Sequence, residues 1–525
     1  MNDVNNTKKI IVKFGGSNLK TKEDFGRVYQ VITLYQACQQ PIVIVISAIY
    51  GVTDILENTI KKVKTDEHAI SGLKQNLIDL HHPIIHLFIK DSEYRQRVLD
   101  NFNARVEELG KYLQGIHCLG EIPDFVEDRV LSYGERFSSL VLTAILNFMN
   151  IPCTECLPED LGLYTNGEYR NASVNFSLAE EAVKKCLSGT RTYVVPGFYG
   201  ISTDSKVTLF GRGGSDYTAA AIARCIDATS VDLWKDVPGF MSADPKLVKN
   251  PIHIDKLTYH EAAELSYFGA RIIHPRTFEP VMEKKIPVRL FDINNFSNTL
   301  EPVTTIRENG VIKEGVGDPN LYMVRQMPFF RTFISEVCQK NKVSEGSNKK
   351  GIIKSVTFSD DFGVLKLHGA GVGIKPGIMA RVTNKLNDEG INIKSIITSQ
   401  TCINILLSRD DLEKGLQIVK KNGLSAVEQI STLENISLIA VVGEGILEQP
   451  GIAARVLSAV SNQNINVWTI SAGASDVTIY FIIAQKDREK AIQAIHKEIF
   501  GDVKNNEPSK TCQYDNYPAT LGYII

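Results

Sequence analysis

Short apolar runs that end near glycine and lead into helix-like stretches recur through the first half of this chain. No other feature constrains the fold as much. The first run is Ile10-Ile11-Val12-Lys13-Phe14-Gly15-Gly16, and a helical stretch follows from Asp24 to Ala37. The second covers Pro41 to Ser47 and passes through Ala48-Ile49-Tyr50-Gly51-Val52-Thr53 into another helix. Continuous apolar runs of this length fit strands buried on both faces, so the pattern predicts an α/β domain around a mainly parallel sheet. Ligands meet such sheets at the carboxyl ends of the strands. Lys13, the glycines after it, Ser47 and Thr53 stand at those ends. A helix-capping role fits Ser47 and Thr53 equally well.

The glycine-richest stretch lies further on, at Gly211-Arg212-Gly213-Gly214-Ser215-Asp216, opening a small-residue helix. Glycine lets backbone N–H groups approach an anion, and a helix N-terminus carries partial positive charge. Arg212 offers a planar fork to a carboxylate, while Asp216 can hold a cation or an amine. The first run is neither a Walker loop nor G-x-G-x-x-G, because its lysine precedes the glycines. Gly134-Glu135 begins an apolar helix, where Glu135 is either a pocket acid or a first-turn acid favoured by the helix dipole. Val231 to Met241 reads as strand then turn, and Ser242 to Lys246 completes a loop suited to clamp a nucleotide. Gly269-Ala270-Arg271-Ile272, with His274-Pro275, faces the same edge.

Size and charge narrow the classes. A chain of 525 residues exceeds one core, so several domains are expected. A net charge of −2 with 43% hydrophobic residues gives no support for nucleic acid or a membrane as partner. The polar start and the short Ile42–Ile46 run predict a cytoplasmic protein without a leader or a span. The nine cysteines have no disulfide rhythm, and Cys153-x-x-Cys156 lacks the second pair that zinc needs. His81, His82 and His86 are expected to be surface or packing residues.

The final third contains a repeat. Pro376-Gly377-Ile378-Met379-Ala380-Arg381-Val382 with Ile391-Asn392-Ile393 returns as Pro450-Gly451-Ile452-Ala453-Ala454-Arg455-Val456 with Ile465-Asn466-Val467. Each copy is strand, Pro-Gly turn, helix, strand, which suggests regulation or oligomerisation. The expected division is a catalytic domain at 1–310, a linker or insertion at 311–350, modules at 351–430 and 431–500, and a tail at 501–525.

Together, Val12 to Ser17, Ser47 to Thr53, Ser132 to Ser138, Gly211 to Ala219, Trp234 to Pro245 and Phe268 to Pro275 resemble the aspartate kinases, within the amino-acid kinase family. The two repeats are similar to paired ACT domains. The resemblance implies an αβα sandwich with a mainly parallel sheet, then two βαββαβ (α+β) modules. It implies ATP-dependent phosphorylation of the L-aspartate side-chain carboxylate, as the entry step to lysine, threonine, methionine and isoleucine synthesis. Lys13 and Asp216 would be catalytic, with Asp216 orienting either Lys13 or the metal. Lys13, Phe14, Gly15, Gly16, Lys235, Asp236, Met241, Lys246, Arg271 and Ile272 would meet ATP. Ser47, Thr53, Glu135, Arg212, Gly213, Gly214 and Ser215 would hold aspartate. Mg²⁺ would arrive with ATP rather than on protein ligands.

An effector amino acid would sit at Val372, Lys375, Gly377, Ile378, Asn392, Ile393, Lys394 and Ser399, at a homodimer interface between ACT modules. Lysine-sensitive members tend to have an acid where Lys394 stands, so threonine or another amino acid fits better than lysine. Lys394 facing solvent fits as well. The chain departs from the family pattern at Asn18, at Met241 and over 316–343, and it reads as a monofunctional form. Two other readings are a kinase of the same fold acting on another small acid such as glutamate, and a non-catalytic amino-acid sensor.

Overall fold

The computed structural model describes residues 8–270, 272–296, 299–308, 352–421 and 426–501. The expected linker, the 316–343 segment, Arg271 and nearly all of the tail lie outside them.

The N-terminal half is built on strands β1 (Ile10–Phe14), β2 (Ile42–Ile46), β3 (Cys153–Glu155), β4 (Thr192–Pro196), β5 (Tyr199–Ile201), β6 (Val207–Leu209), β7 (Ser230–Lys235), β8 (Lys256–Leu257), β9 (Val288–Asp292) and β10 (Thr304–Ile306). Eight of them form one sheet in the order β3-β4-β2-β1-β7-β9-β10-β8, with β5 and β6 a separate hairpin. Pairing is parallel except between β9 and β10. This is the α/β architecture expected from the sequence.

Alternation along the central strands divides two cores. Ile10, Val12 and Phe14 of β1, with Ile42, Ile44 and Ile46 of β2, pack on one face against the helices between residues 22 and 148. Ile11, Val43 and Val45 point the other way, into a core with Ala219, Ala220 and Ala221 of the Gly214–Ile226 helix. Small side chains let that helix lie close to β1 and β2, which sets Asp216 above their carboxyl ends. The first helix, Lys22–Ala37, starts cleanly because Thr21 and Asp24 cap each other's backbone.

The C-terminal half adds β11 (Ser355–Ser359), β12 (Phe362–His368), β13 (Ile393–Thr398), β14 (Cys402–Ser408), β15 (Gln429–Leu433), β16 (Ile436–Val442), β17 (Thr469–Ser475) and β18 (Thr478–Ala484). They form two antiparallel sheets, β13-β14-β12-β15 and β11-β16-β18-β17. The first module is complete in sequence as βαββαβ. The second takes its outer strand, β11, from ahead of the first module, so the sheets cross the expected boundary at 430/431.

The β11 strand also binds the N-terminal half. Ser355 Oγ donates to Met241 O at 2.8 Å, and Val356 N–H donates to Ser242 O at 2.8 Å. Gly269 sits at φ 133°, and a Cβ there would lie 1.8 Å from Phe358 O, so the backbones approach only because the side chain is missing.

Candidate active site

Lys13 is the fourth residue of β1, and its side chain reaches the first turn of the Gly214–Ile226 helix. Its ammonium pairs with Asp216 Oδ1 at 2.5 Å, an ion pair outside good hydrogen-bond alignment, while Lys235 Nζ donates to Asp216 Oδ2 at 2.7 Å. Lys13 is 4% exposed and Asp216 5%. Burial alone would raise the Asp216 carboxyl. The two ammonium groups outweigh that and hold it well below the usual carboxylate range. Lys13 is lowered by burial, with Asp216 opposing and Lys235 adding to the effect.

Glu135, 4% exposed, lies in the first turn of the Tyr133–Phe148 helix. Burial pushes its carboxyl up to about 8, against the pull of the Ala48 and Glu135 backbone N–H groups, Lys13 and the Ser215 hydroxyl. Its Oε2 is buried with no hydrogen-bond partner among the described residues. A buried carboxylate oxygen without a partner is costly, so this atom fits a site that awaits a donor. The helix start sits tightly against the loop after β2, where a Cβ on Gly134 would meet Ala48 Cβ at 2.8 Å. Ser47 and Thr53 flank that loop, both partly exposed. Neither caps the helix Val52–Val63 with its side chain; Gly51 at φ 83° holds the N-cap position.

Arg212 is exposed, with no hydrogen bond or ion pair among the described residues. Beside it Gly213, at φ 72°, is the N-cap of the helix, and a Cβ would lie 2.3 Å from His274 Cβ. Gly214 and Ser215 follow, buried. Lys13, Glu135, Ser215, Asp216 and Lys235 therefore converge, with Arg212 free at the rim.

The residues expected at the nucleotide separate into groups. A cavity of about 540 Å³ is lined by Met241, Lys246 and Ile272, and its far wall is β11 of the second module. Lys235 instead points to Asp216. Asp236 is held low, against burial, by hydrogen bonds from Ser17 and Lys20, with Lys20 Nζ at 3.2 Å, and so ties two loops together. After β1, Phe14 is core, and Gly15 N–H donates to Asn18 Oδ1 at 3.1 Å. Gly16 begins a short 3₁₀ turn, whose leading N–H groups have no partner within the turn.

Of the expected effector residues, Val372 and Lys375 lie on the loop after β12, Gly377 caps and Ile378 begins the Ile378–Asp388 helix, and Gly373 N–H donates to Gln400 O at 2.9 Å, next to Ser399. Asn392, Ile393 and Lys394 lie at the opposite end of β13. Within one chain the two groups are about 20 Å apart, at a strand rise of ~3.3 Å per residue.

Sequence reasoning missed several supports. Asn18 braces the β1 loop. Arg276 donates to Phe210 O at 2.9 Å and covers the Tyr217 ring at 4.6 Å, locking the glycine-arginine stretch from behind. Asp128 is fully buried and accepts from Leu209 N–H at 2.8 Å. The Asp128 anchor had no signal in the sequence, since it acts across 81 residues. Cys156 packs 3.5 Å from Cys186 Sγ, and among the described residues no metal-binding cluster of His, Cys, Asp or Glu occurs. No described helix is long and apolar enough to cross a membrane.

Residues 8–292, more than half of the chain, match the model of the amino acid kinase family. The chain belongs to that family. Residues 357–421 and 439–499 of this amino acid kinase each match an ACT domain model. It is 27% identical over 514 residues to the bifunctional aspartokinase/homoserine dehydrogenase of Buchnera aphidicola, covering 94% of this chain and 57% of that protein. The chain thus spans about half the length of the bifunctional relatives it matches. It is also 27% identical to the aspartokinase of Saccharomyces cerevisiae, covering 80% of this chain and 77% of the yeast protein. Among solved structures, Escherichia coli aspartokinase III in complex with aspartate and ADP superposes with a TM-score of 0.71 at 20% identity, covering 94% of this chain and 100% of that one.

Proposed function

We propose that this amino acid kinase transfers the γ-phosphoryl group of ATP to the side-chain carboxylate of L-aspartate, giving 4-phospho-L-aspartate. The observation that carries the reading is the buried Lys13–Asp216–Lys235 cluster beside Glu135, whose Oε2 has no partner. The names of the relatives and the aspartate and ADP in the E. coli structure support the same substrates.

The nucleophile, a side-chain carboxylate, is already ionised near neutral pH and needs no general base. The barrier lies in bringing two anions together and in the charge on the transferring group. Lys13 meets the phosphates, helped by the backbone of Phe14, Gly15 and Gly16. Asp216 acts through Lys13 and Lys235, holding both ammonium groups in place. Both of its oxygens are taken by lysine, which disfavours a metal there, so Mg²⁺ comes as the counter-ion of ATP. Met241, Lys246 and Ile272 line the nucleotide cavity, and Asp236 belongs to the same edge. Arg212 takes the α-carboxylate of aspartate, Glu135 its α-ammonium, and Gly213, Gly214, Ser215, Ser47 and Thr53 complete the cradle.

The ACT modules support feedback by an end-product amino acid, threonine in preference to lysine. The exposed Ile374 and Met379 support a homodimer through the first module. The test is trapping of the acyl phosphate by hydroxylamine with ATP, Mg²⁺ and either aspartate or glutamate. Aspartyl hydroxamate is expected. Glutamyl hydroxamate alone, or none with either acid, contradicts the reading.

A further inference from the structure

A second cavity, of about 250 Å³, lies where three parts of the chain meet: the Tyr259–Leu265 helix with the turn after it, the first ACT module and the second. It is separate from the nucleotide cavity and shares no lining residue with it. Glu264 forms one wall, facing the hydroxyls of Ser475 and Thr478. Both hydroxyls hydrogen-bond the Glu264 carboxyl and hold it at that wall.

Lys394 forms another wall. It sits at a register shift in β13, between Ile393 and Ser395. A bulge re-aims side chains, and here the Lys394 ammonium lies 5.4 Å from the centre of the Tyr267 ring, with Tyr267 Oη donating to Lys394 O at 3.1 Å. Ser395 Oγ and Tyr480 Oη share a hydrogen bond at 2.8 Å. Phe268, Phe362 and Leu438 supply the apolar remainder.

An acid and a base thus line one small cavity, and among the described residues no ion pair joins them or neutralises either. A bound zwitterion would satisfy both, its ammonium at Glu264 and the Thr478 hydroxyl near by, its carboxylate at Lys394. The volume suits a molecule of amino-acid size, and the apolar walls suit an uncharged side chain. We propose that this junction binds a free α-amino acid with an uncharged side chain, at a site distinct from the aspartate cradle and sharing only Lys394 with the expected effector residues of the first module. Binding would tie the Tyr259–Leu265 helix to both modules, and so would favour whichever arrangement of the three keeps the cavity closed. The proposal does not depend on the phosphoryl-transfer reading.

Calorimetric titration of the full chain, without ATP or aspartate, tests it with L-isoleucine, L-methionine, L-threonine and L-lysine as separate probes. At least one of the first three is expected to bind. Glu264→Gln and Lys394→Met should each weaken that binding at least tenfold, while Ser399→Ala leaves it within twofold. Hydrogen exchange should slow on binding in residues 259–268 and 474–480. Unchanged circular dichroism and an unchanged denaturation midpoint in both variants would establish that they are folded. The proposal is overturned if none of the three binds, if lysine alone binds, or if folded junction variants bind as the parent does.

Discussion

Two buried acids sit within one site and are treated in opposite ways. Asp216 has an ammonium group on each oxygen and stays ionised; Glu135 has an oxygen with no partner and is pushed up to about 8. Both are buried to the same degree, so burial does not distinguish them. Pairing does. On the proposed assignment, the phosphate side of the site is completed by the chain's own residues before any ligand arrives. The aspartate side is left incomplete, with Glu135 lacking a cation and Arg212 lacking an anion. Two lysines against one ionised acid leave a positive charge for a polyanion, and a neutral Glu135 does not cancel it. An amino acid bringing both an ammonium and a carboxylate would complete the second half.

The contrast can be broken at its strongest point first. Lys13→Ala removes the phosphate-side charge, and turnover in the hydroxamate assay should fall by ~10³-fold or more, with KM for aspartate little changed. Asp216→Asn leaves two buried ammonium groups without their acid. Denaturant titration should show a loss of about 3–5 kcal/mol, the usual cost of breaking a buried pair from one side. A stability within 1 kcal/mol of the parent would mean the cluster is not held together by Asp216. Arg212→Lys, on the incomplete side, is the mildest change. It keeps the charge and loses the fork, so KM for aspartate should rise about tenfold while kcat and stability hold.

Which of these features the sequence revealed follows from how local each one is. Strand–glycine–helix units are local, and the continuous apolar runs of β1 and β2 announced a parallel sheet buried on both faces. The Pro-Gly repeat announced two modules for the same reason. The allocation of β11 was hidden, because a five-residue strand carries no mark of which sheet it will join. Asp216 was recognised as important, yet its role was ambiguous, because Lys13 and Lys235 meet it from strands 203 and 19 residues away. The glycines gave partial signals. Gly213 was read as a donor to anions, whereas its necessity comes from His274 packed on its Cα; Gly269 was noticed only as part of a motif, whereas Phe358 O excludes any side chain there.

The difference between the two acids has a direct readout in the pH dependence of aspartate binding. With Glu135 at about 8 in the empty site, binding the substrate ammonium requires the carboxyl to lose its proton. KM for L-aspartate should therefore fall as pH rises, by roughly tenfold per unit well below 8, and level off above it. In Glu135→Gln, KM should be high and nearly flat from pH 6 to 9. The same slope in parent and variant, or a KM in the parent that does not change across this range, would contradict the assignment of Glu135 to the α-ammonium.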